Sequence, residues 1–472
     1  MKEHIKSCLL FLLIMSSIVL TANMWFSGGL WSDGYNLFFD VSGILNFKSK
    51  SKSYYLSKEN ISYPEKIIVN NLEKRNLYTH TSDEYTDIIP TVLDSVKKGL
   101  TGGEFAAANA DEWNGVLKAR SVYISYPVAY NTTLLLGILG LESKNMNASS
   151  MREFIIGPSD KDGVLSLYVK DYSNSNVYKA PLSYKYNDIC SLIDKYAVDS
   201  INLLPYSFEL NFDKFDSESV EQKVVIEPTV TLKLESEMLP TIKSENYLSG
   251  VYSNMYLSSN ILKSFGYNTT YMRKYLDNNN TAVYVENYST LKIYDNGLLE
   301  YKAIDDTKGI ALTDSNSSTP YDYFVACVEF ANNLWDNVLP GEAFDVNLTS
   351  DMFIDGKARS FTVNMDYYVG GHMVMCNLDA GELYSSLGHG IEITVKDGKI
   401  IEYRQLFNKF SKTNQNFNNG SAIDAIDRMF SDNSIGGCTI AALNPAYINK
   451  NKTWLPTWIA KTTDGKIVTI RR

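Results

Sequence analysis

A chain of 472 residues, 44% hydrophobic and 12% aromatic with 33 tyrosines, has ample material for buried cores and Tyr-rich strands, which excludes a disordered protein. Its net charge of −10, with no basic groove or interleaved aromatic stripe, argues against a nucleic-acid partner. Five cysteines, Cys8, Cys190, Cys327, Cys376 and Cys438, show no C-x-x-C pair and no repeated spacing, so neither a zinc site nor a dense disulfide framework is written here.

Cys8 to Phe26 runs roughly 19 residues without a charge, about 28 Å as a helix and enough to cross a bilayer. Lys2 and Lys6 precede it and the first charge beyond is Asp33, so the positive-inside rule predicts a cytoplasmic N-terminus and an outer bulk. A cleaved signal peptide is the alternative. Its only candidate site, Leu20-Thr21-Ala22, puts a bulky leucine where a small residue is wanted, and no lipobox cysteine follows, so a retained anchor is preferred. Ser17 and Thr21, four residues apart, share one face and form the candidate transmembrane interaction face, because hydroxyl and small residues permit close approach between helices. Ser16 and Asn23 add polar atoms, and Trp25 and Trp31 resemble interfacial anchors on the outer side. A passive anchor whose hydroxyls bond their own backbone explains the same residues. Lys48, Lys50 and Lys52 read as a solvated linker, with lipid head groups or anionic wall polymer as the alternative contact.

Beyond the membrane, about 440 residues exceed what one core usually organises, so two or three domains are expected. The predicted layout is a cytoplasmic stub (1–7), a transmembrane helix (8–26), a juxtamembrane lead-in (27–60), an N-terminal α+β domain (61–208), a central α+β domain (209–310) and a C-terminal α+β domain (311–472). In the first domain, strands at Lys66 to Val69, Val122 to Tyr126, Phe154 to Ile156 and Leu165 to Val169 alternate with helices at Ile88 to Leu100 and Cys190 to Tyr196. FELNF, Phe208 to Phe212, alternates as a strand, and Val224 to Leu234 contains Pro228, which marks an edge or irregular strand. A helix using Met255, Leu257, Ile261, Leu262 and Phe265 is predicted next.

A strand, Asn-Gly or Asp-Gly turn, strand, helix and further strands then recur. The first occurrence has Thr290 to Tyr294, Asn296-Gly297, Leu298 to Ala303, a helix at Tyr321 to Val338 with Phe324, Val328, Ala331 and Trp335 on one face, and strands at Ala343 to Leu348 and Ser360 to Tyr368. The second has Ile391 to Val395, Asp397-Gly398, Lys399 to Tyr403 and a helix at Ser421 to Phe430 with Ser421 as N-cap and Asp424 three residues later. Strands at Cys438 to Leu443, Pro456 to Lys461 and, after Asp464-Gly465, Lys466 to Ile470 close the chain. Such turns favour antiparallel hairpins, so the predicted fold class is α+β, antiparallel sheets packed with helices behind a single N-terminal transmembrane helix.

Chemistry is sparse. Of the four histidines, His4 is placed in the cytoplasm, His80 in a polar turn, and His372 and His389 beside glycines; no pair has ligand spacing. Gly388-His389-Gly390 is the most site-like, although a turn before a strand is the simpler account. Asp160-Lys161-Asp162-Gly163 faintly suggests a calcium loop but reads as a plain turn. With 54 acidic residues, carboxylate pairs suited to glycoside hydrolysis arise by chance. There is no G-x-S-x-G, H-E-x-x-H, P-loop or kinase signature, so no catalytic residue, metal ligand or cofactor is assigned. Outside the cell, Cys190, Cys327, Cys376 and Cys438 allow up to two disulfides, but Cys327 and Cys438 fall in apolar patterns where a buried thiol is favoured.

The chain resembles the YycH family, of the YycH/YycI group of accessory regulators. The resemblance is carried by EHIKSCLLFLLIMSSIVLT, KIIVNN, SFELNF and, most specifically, NILKSFGYNTTYMRKYLDNNNTAVYVENYSTLKIYDNGLLEY; DGKIIEYRQLF, SAIDAIDRMF, LNPAYI and LPTWIAKTTDGKIV are similar to the closing unit shared by YycH and YycI. It implies a single-pass membrane protein of low-GC Gram-positive bacteria that modulates the sensor histidine kinase WalK, also called YycG, together with a YycI-type protein. It implies no catalysis and supplies no site residue; the Ser17 and Thr21 face rests on helix geometry alone. The alternatives are an extracytoplasmic cell-wall enzyme and an envelope ligand-binding or scaffold protein.

Overall fold

The computed structural model describes residues 56–470 apart from 59, 73, 103, 143–145, 160–162, 199–203, 213–223, 252–256, 278–280, 287, 313–318, 343, 353–359, 377–386, 432–436 and 451–452. The predicted membrane segment with Ser17, Thr21 and Trp25, and likewise Trp31, the lysines at 48, 50 and 52, and the acidic turn at 160–162, lie outside the described residues. Among the described residues no helix is long and apolar enough to cross a membrane.

KIIVNN buries its four central residues, as a strand covered on both faces must, and forms β1 (Lys66–Asn71). After it come β2 (Lys74–Thr79), α1 (Tyr85–Gly102), β3 (Ala106–Ala108), α2 (Ala110–Lys118), β4 (Ser121–Asn131), α3 (Thr132–Ile138), β5 (Ser150–Pro158), β6 (Val164–Asp171), β7 (Val177–Lys185) and α4 (Tyr186–Tyr196). The strands make an antiparallel sheet in the order β2-β1-β4-β5-β6-β7-β3. One face, with Ile67, Val69, Ile124, Phe154 and Leu167, packs under α1 and α4; the other, with Ile68, Tyr123, Ile155 and Tyr168, packs on Trp113 and Leu117 of α2 and on Tyr206. At Gly99 a Cβ would stand 2.5 Å from Leu167 Cδ2, so only glycine lets α1 lie this close to β6.

The predicted strand at Phe208 to Phe212 is corrected here: Ser207–Leu210 is a 3-10 turn, and Asn211 leaves it at φ 59°. The Tyr206 N–H donates to the Glu209 carboxylate at 2.8 Å, and Arg75 of β2 clamps that carboxylate at 2.7 and 3.0 Å. Side-chain bonding to the local backbone outweighs the alternating pattern.

The second sheet takes β8 (Val225–Ile226), β9 (Met238–Asn246), β10 (Arg273–Leu276), β11 (Ala282–Glu286), β12 (Ser289–Ile293), β13 (Leu298–Ala303), β14 (Ile310–Ala311), β15 (Val346–Leu348), β16 (Phe361–Val369), β17 (His372–Met375), β18 (Ile391–Lys396), β19 (Lys399–Leu406), β20 (Asn408–Asn418), β21 (Thr439–Lys450), β22 (Thr453–Thr462) and β23 (Ile467–Ile470). Helices α5 (Ser259–Ser264), α6 (Pro320–Val338) and α7 (Ala422–Ser431) interrupt them. The main path is β10-β11-β12-β13-β19-β18-β16-β17-β21-β22-β9-β20; its described pairs are antiparallel except β17 with β21, and β8 also joins β21 in parallel. The two recurrent hairpins thus meet side by side at β13 and β19. Asp397 and Gly398 both take positive φ, 48° and 72°, whereas at Asn296-Gly297 only the glycine does, at 92°.

Ser53–Arg472 gather into one compact unit, and β4 is where the sheets join. Its pairing with β5 shifts register between Ser125 and Tyr130, which frees Pro127–Ala129 to reach the second sheet's connections. The Asn131 N–H donates to the Met352 carbonyl at 3.1 Å, the Met352 N–H to the Ala129 carbonyl at 2.9 Å, and the Ala129 N–H to Asp351 Oδ1 at 3.0 Å. Beside this link α3 packs on α6, and one apolar core runs from Ile67 and Phe154 through Tyr130 to Phe324 and Trp335.

Candidate functional site

At the junction lies a partly open cavity of about 380 Å³, walled by strands of both sheets. Four cations line it: Lys66 of β1, Arg152 of β5, Lys461 of β22 and Lys233, the last paired with Glu237 at 2.7 Å. The Lys461 ammonium donates to the carbonyls of Thr349 at 2.8 Å and Pro127 at 3.3 Å, the latter exposed to it by the register shift in β4. Arg152, 4% exposed, donates Nε to the Tyr126 carbonyl at 3.1 Å, and Lys66 Nζ lies 5.9 Å from the Tyr123 ring centroid. Burial, reinforced by the Arg152 charge, pulls the Lys461 ammonium down to about 8 against the attraction of Asp351, Glu65 and Asp366. Burial also lowers the Lys66 pKa, with Arg152 adding to the effect and Glu65 opposing it. Arg152 is desolvated too, but Tyr172, Glu153 and Glu65 more than offset this and hold it charged.

Glu153, which interacts with Arg152 but does not line the cavity, belongs to a second charged group. Lys170 of β6 pairs with Glu227 at 2.7 Å, and Thr229 Oγ1 donates to Glu153 at 3.4 Å. Burial pushes both carboxyls up; the charges of Lys170 and Arg152 overcome this at Glu153, whose pKa falls, while at Glu227 burial and the repulsion of Glu153 prevail and its pKa rises. The pair joins the first sheet to the segment around β8.

His80 and His372, which sequence spacing did not relate, both line the cavity. The β16–β17 turn lies against the turn after β2, with a Cβ on Gly371 placed 3.4 Å from Thr81 Cγ2. Burial lowers the His372 pKa. Gly388-His389-Gly390 is a turn whose backbone N–H groups are all engaged: the Gly388 and His389 N–H groups donate to Glu392 at 2.7 and 3.1 Å, the Gly390 N–H donates to Asp366 at 2.7 Å, and His389 Nδ1 lies 2.9 Å from the same carboxylate. Burial alone would lower the His389 pKa, but the hydrogen bond and charge of Asp366 raise it. Cys190, Cys327, Cys376 and Cys438 are free thiols, and burial raises the pKa of Cys327 and Cys376. Among the described residues no group of three or more His, Cys, Asp or Glu is placed to hold a metal.

Sequence reasoning missed the cavity. Its one legible signal is a charge inside an otherwise apolar strand, as at Arg152 in SMREFIIGP and Lys461 in TWLPTWIAKT.

Residues 3–197 match the family model of the YycH protein, N-terminal domain, a match that ends one residue beyond α4. Over these residues the chain carries a YycH N-terminal domain. The crystal structure of YycH from Bacillus subtilis shares the fold, with a TM-score of 0.53 at 11% identity, covering 87% of this chain and 95% of that one. No curated protein sequence matches the chain. That domain match supports, in general terms, a YycH-type regulator of the WalK/YycG system.

Proposed function

We propose that this chain is a single-pass, membrane-anchored modulator of a WalK/YycG-type sensor histidine kinase, acting with a YycI-type membrane protein, its N-terminus cytoplasmic and its two-sheet body outside the cell. The observation that carries the reading is the family match over residues 3–197, which takes in the apolar run at 8–26 together with the whole first sheet. In this reading Trp25 and Trp31 set the depth of the helix, and Ser17 and Thr21 face the partner helices. Regulation requires that the anchor bind two arrangements of the kinase bundle unequally, since equal affinity shifts no equilibrium.

The test is co-purification of the full-length protein, and of a version lacking residues 1–26 but still exported to the membrane surface, with the kinase and the YycI-type protein, alongside kinase reporter output. Loss of both association and regulation on truncation is expected. Association of neither form with the kinase overturns the reading, and association retained by the truncated form moves the contact to the outer body. Charged substitutions at both Ser17 and Thr21, in protein shown to insert, are expected to disrupt association; unchanged association rejects that face.

A further inference from the structure

We propose that the cavity between the two sheets is a binding site for a small polyanion, a molecule carrying two or more carboxylate or phosphate charges, gripped by Lys66, Arg152 and Lys461. The inference rests on the cavity and does not depend on the regulatory reading above.

Three partly buried cations elsewhere in the body are matched directly by carboxylates: Lys170 with Glu227 at 2.7 Å, Lys179 with Glu112 at 2.5 Å, Arg75 with Glu209 at 2.7 Å. The three that would grip the anion are not. Among the described residues none of Lys66, Arg152 and Lys461 has a carboxylate oxygen within 4.0 Å. The described acceptors of Lys461 are two backbone carbonyls, and that of Arg152 is one. Neighbouring groups offset burial at Arg152, but at Lys66 and Lys461 burial prevails, and an incompletely compensated buried charge is costly, so the space favours a counter-charge.

The remaining charge in the lining does not supply it. Lys233 and Glu237, which also line the cavity, pair with each other at 2.7 Å. That leaves three cations against Glu65. Glu153 moderates Arg152 but is not part of the lining, and Asp366 is occupied by Gly390 and His389. The surplus is local, in a chain whose net charge is −10, so it is not a general basic surface. A volume of about 380 Å³ lies within the usual range for small-molecule sites, about 300–1,000 Å³. Thr349, Asn444 and Tyr368 add polar groups to the wall, and Trp458 and Leu348 add apolar surface, a mixture suited to an anion with an organic body. The cations come from both sheets, so a bound anion would tie the two together.

The test uses purified full-length protein and two probes, inorganic pyrophosphate and citrate, titrated by calorimetry at constant ionic strength set with chloride. Saturable binding of at least one probe is expected, with a loss of tenfold or more in affinity for Lys461→Met and for Lys66→Gln. Lys302→Gln, which alters an exposed pair with Glu402, should bind as the parent does. Lys66→Gln keeps the test decisive if Lys461→Met does not fold. Affinity should also fall between pH 7 and pH 9 as Lys461 loses its proton near pH 8, in the field of Arg152, Glu65, Asp351 and Asp366. Binding of pyrophosphate alone assigns the natural ligand to phosphates, of citrate alone to polycarboxylates, and of both to polyanions at large. No saturable binding of either probe, or binding unchanged in both cavity variants, overturns the proposal.

Discussion

The two stretches at 289–369 and 391–470 share an order of hairpin, helix and strands, yet their helices enter different cores. Helix α6 turns Phe324, Val328, Ala331 and Trp335 into the large core that also holds β4, β5 and α1 of the first sheet. Helix α7 turns Ala422, Ala425, Ile426 and Met429 into a small separate core with Val224–Leu232, Trp458 and Ile470. Similar amphipathic helices therefore differ in consequence: one fastens the two sheets together, while the other closes off one end of the second sheet.

The strongest way to break this contrast is Trp335→Ala. Trp335 stacks on Phe344 at 4.3 Å and on Phe407 at 5.8 Å, and its loss should cost about 3–5 kcal/mol. Because the core is continuous, hydrogen exchange should accelerate in β4 and β5 as well as in α6; unchanged protection in β4 would show that the sheets do not share their stability. Ile426→Ala should cost less, about 2–3 kcal/mol, at the low end for a buried isoleucine because a small core at one end can relax around the gap. Exchange should then rise in α7, β21 and β8 and stay unaltered in β4 and β5, and spread into the first sheet would contradict the separation.

The helix starts offer a finer comparison. Thr319 and Asp322 form a capping box on α6, and Ser421 and Asp424 do so on α7, each carboxylate accepting from the cap N–H at 2.7 Å. Thr319→Ala and Ser421→Ala should each cost about 1 kcal/mol in urea denaturation, despite the different cores. A cost at one cap several times that at the other would mean that tertiary packing, not local capping, governs these termini.

The smallest effect concerns the link between the stretches, Asp366 of β16 with His389 just before β18. The folded His389 pKa is raised above 6.5, so protonation favours the folded state. This stabilisation is complete below about pH 6.5 and is lost as pH rises through the folded value. The urea midpoint of the parent should exceed that of His389→Gln by more at pH 6 than at pH 8.5, and a pH-independent gap would remove the charged pair from the link.

Where local pattern sufficed, the elements were legible. The predicted helices at Ile88 to Leu100 and Tyr321 to Val338 appear as Tyr85–Gly102 and Pro320–Val338, since apolar residues recur at helical spacing. Ser421 caps its helix as its spacing from Asp424 implied. Polar β9 and β20 were not legible: MLPTIKSEN and NKFSKTNQNFN have little apolar alternation, and their strand character comes from pairing with each other. FELNF was misread because Arg75, which holds Glu209, lies 134 residues away.

By itself the sequence determined the apolar run at 8–26, the periodic helices, the glycine turns and the family resemblance, because these depend on composition and on neighbours within a few residues. Only the tertiary structure decided that Lys66, Arg152 and Lys461 share one space. Their convergence depends on a register shift in β4 and on packing between strands more than 300 residues apart, and no local pattern encodes where such distant strands meet.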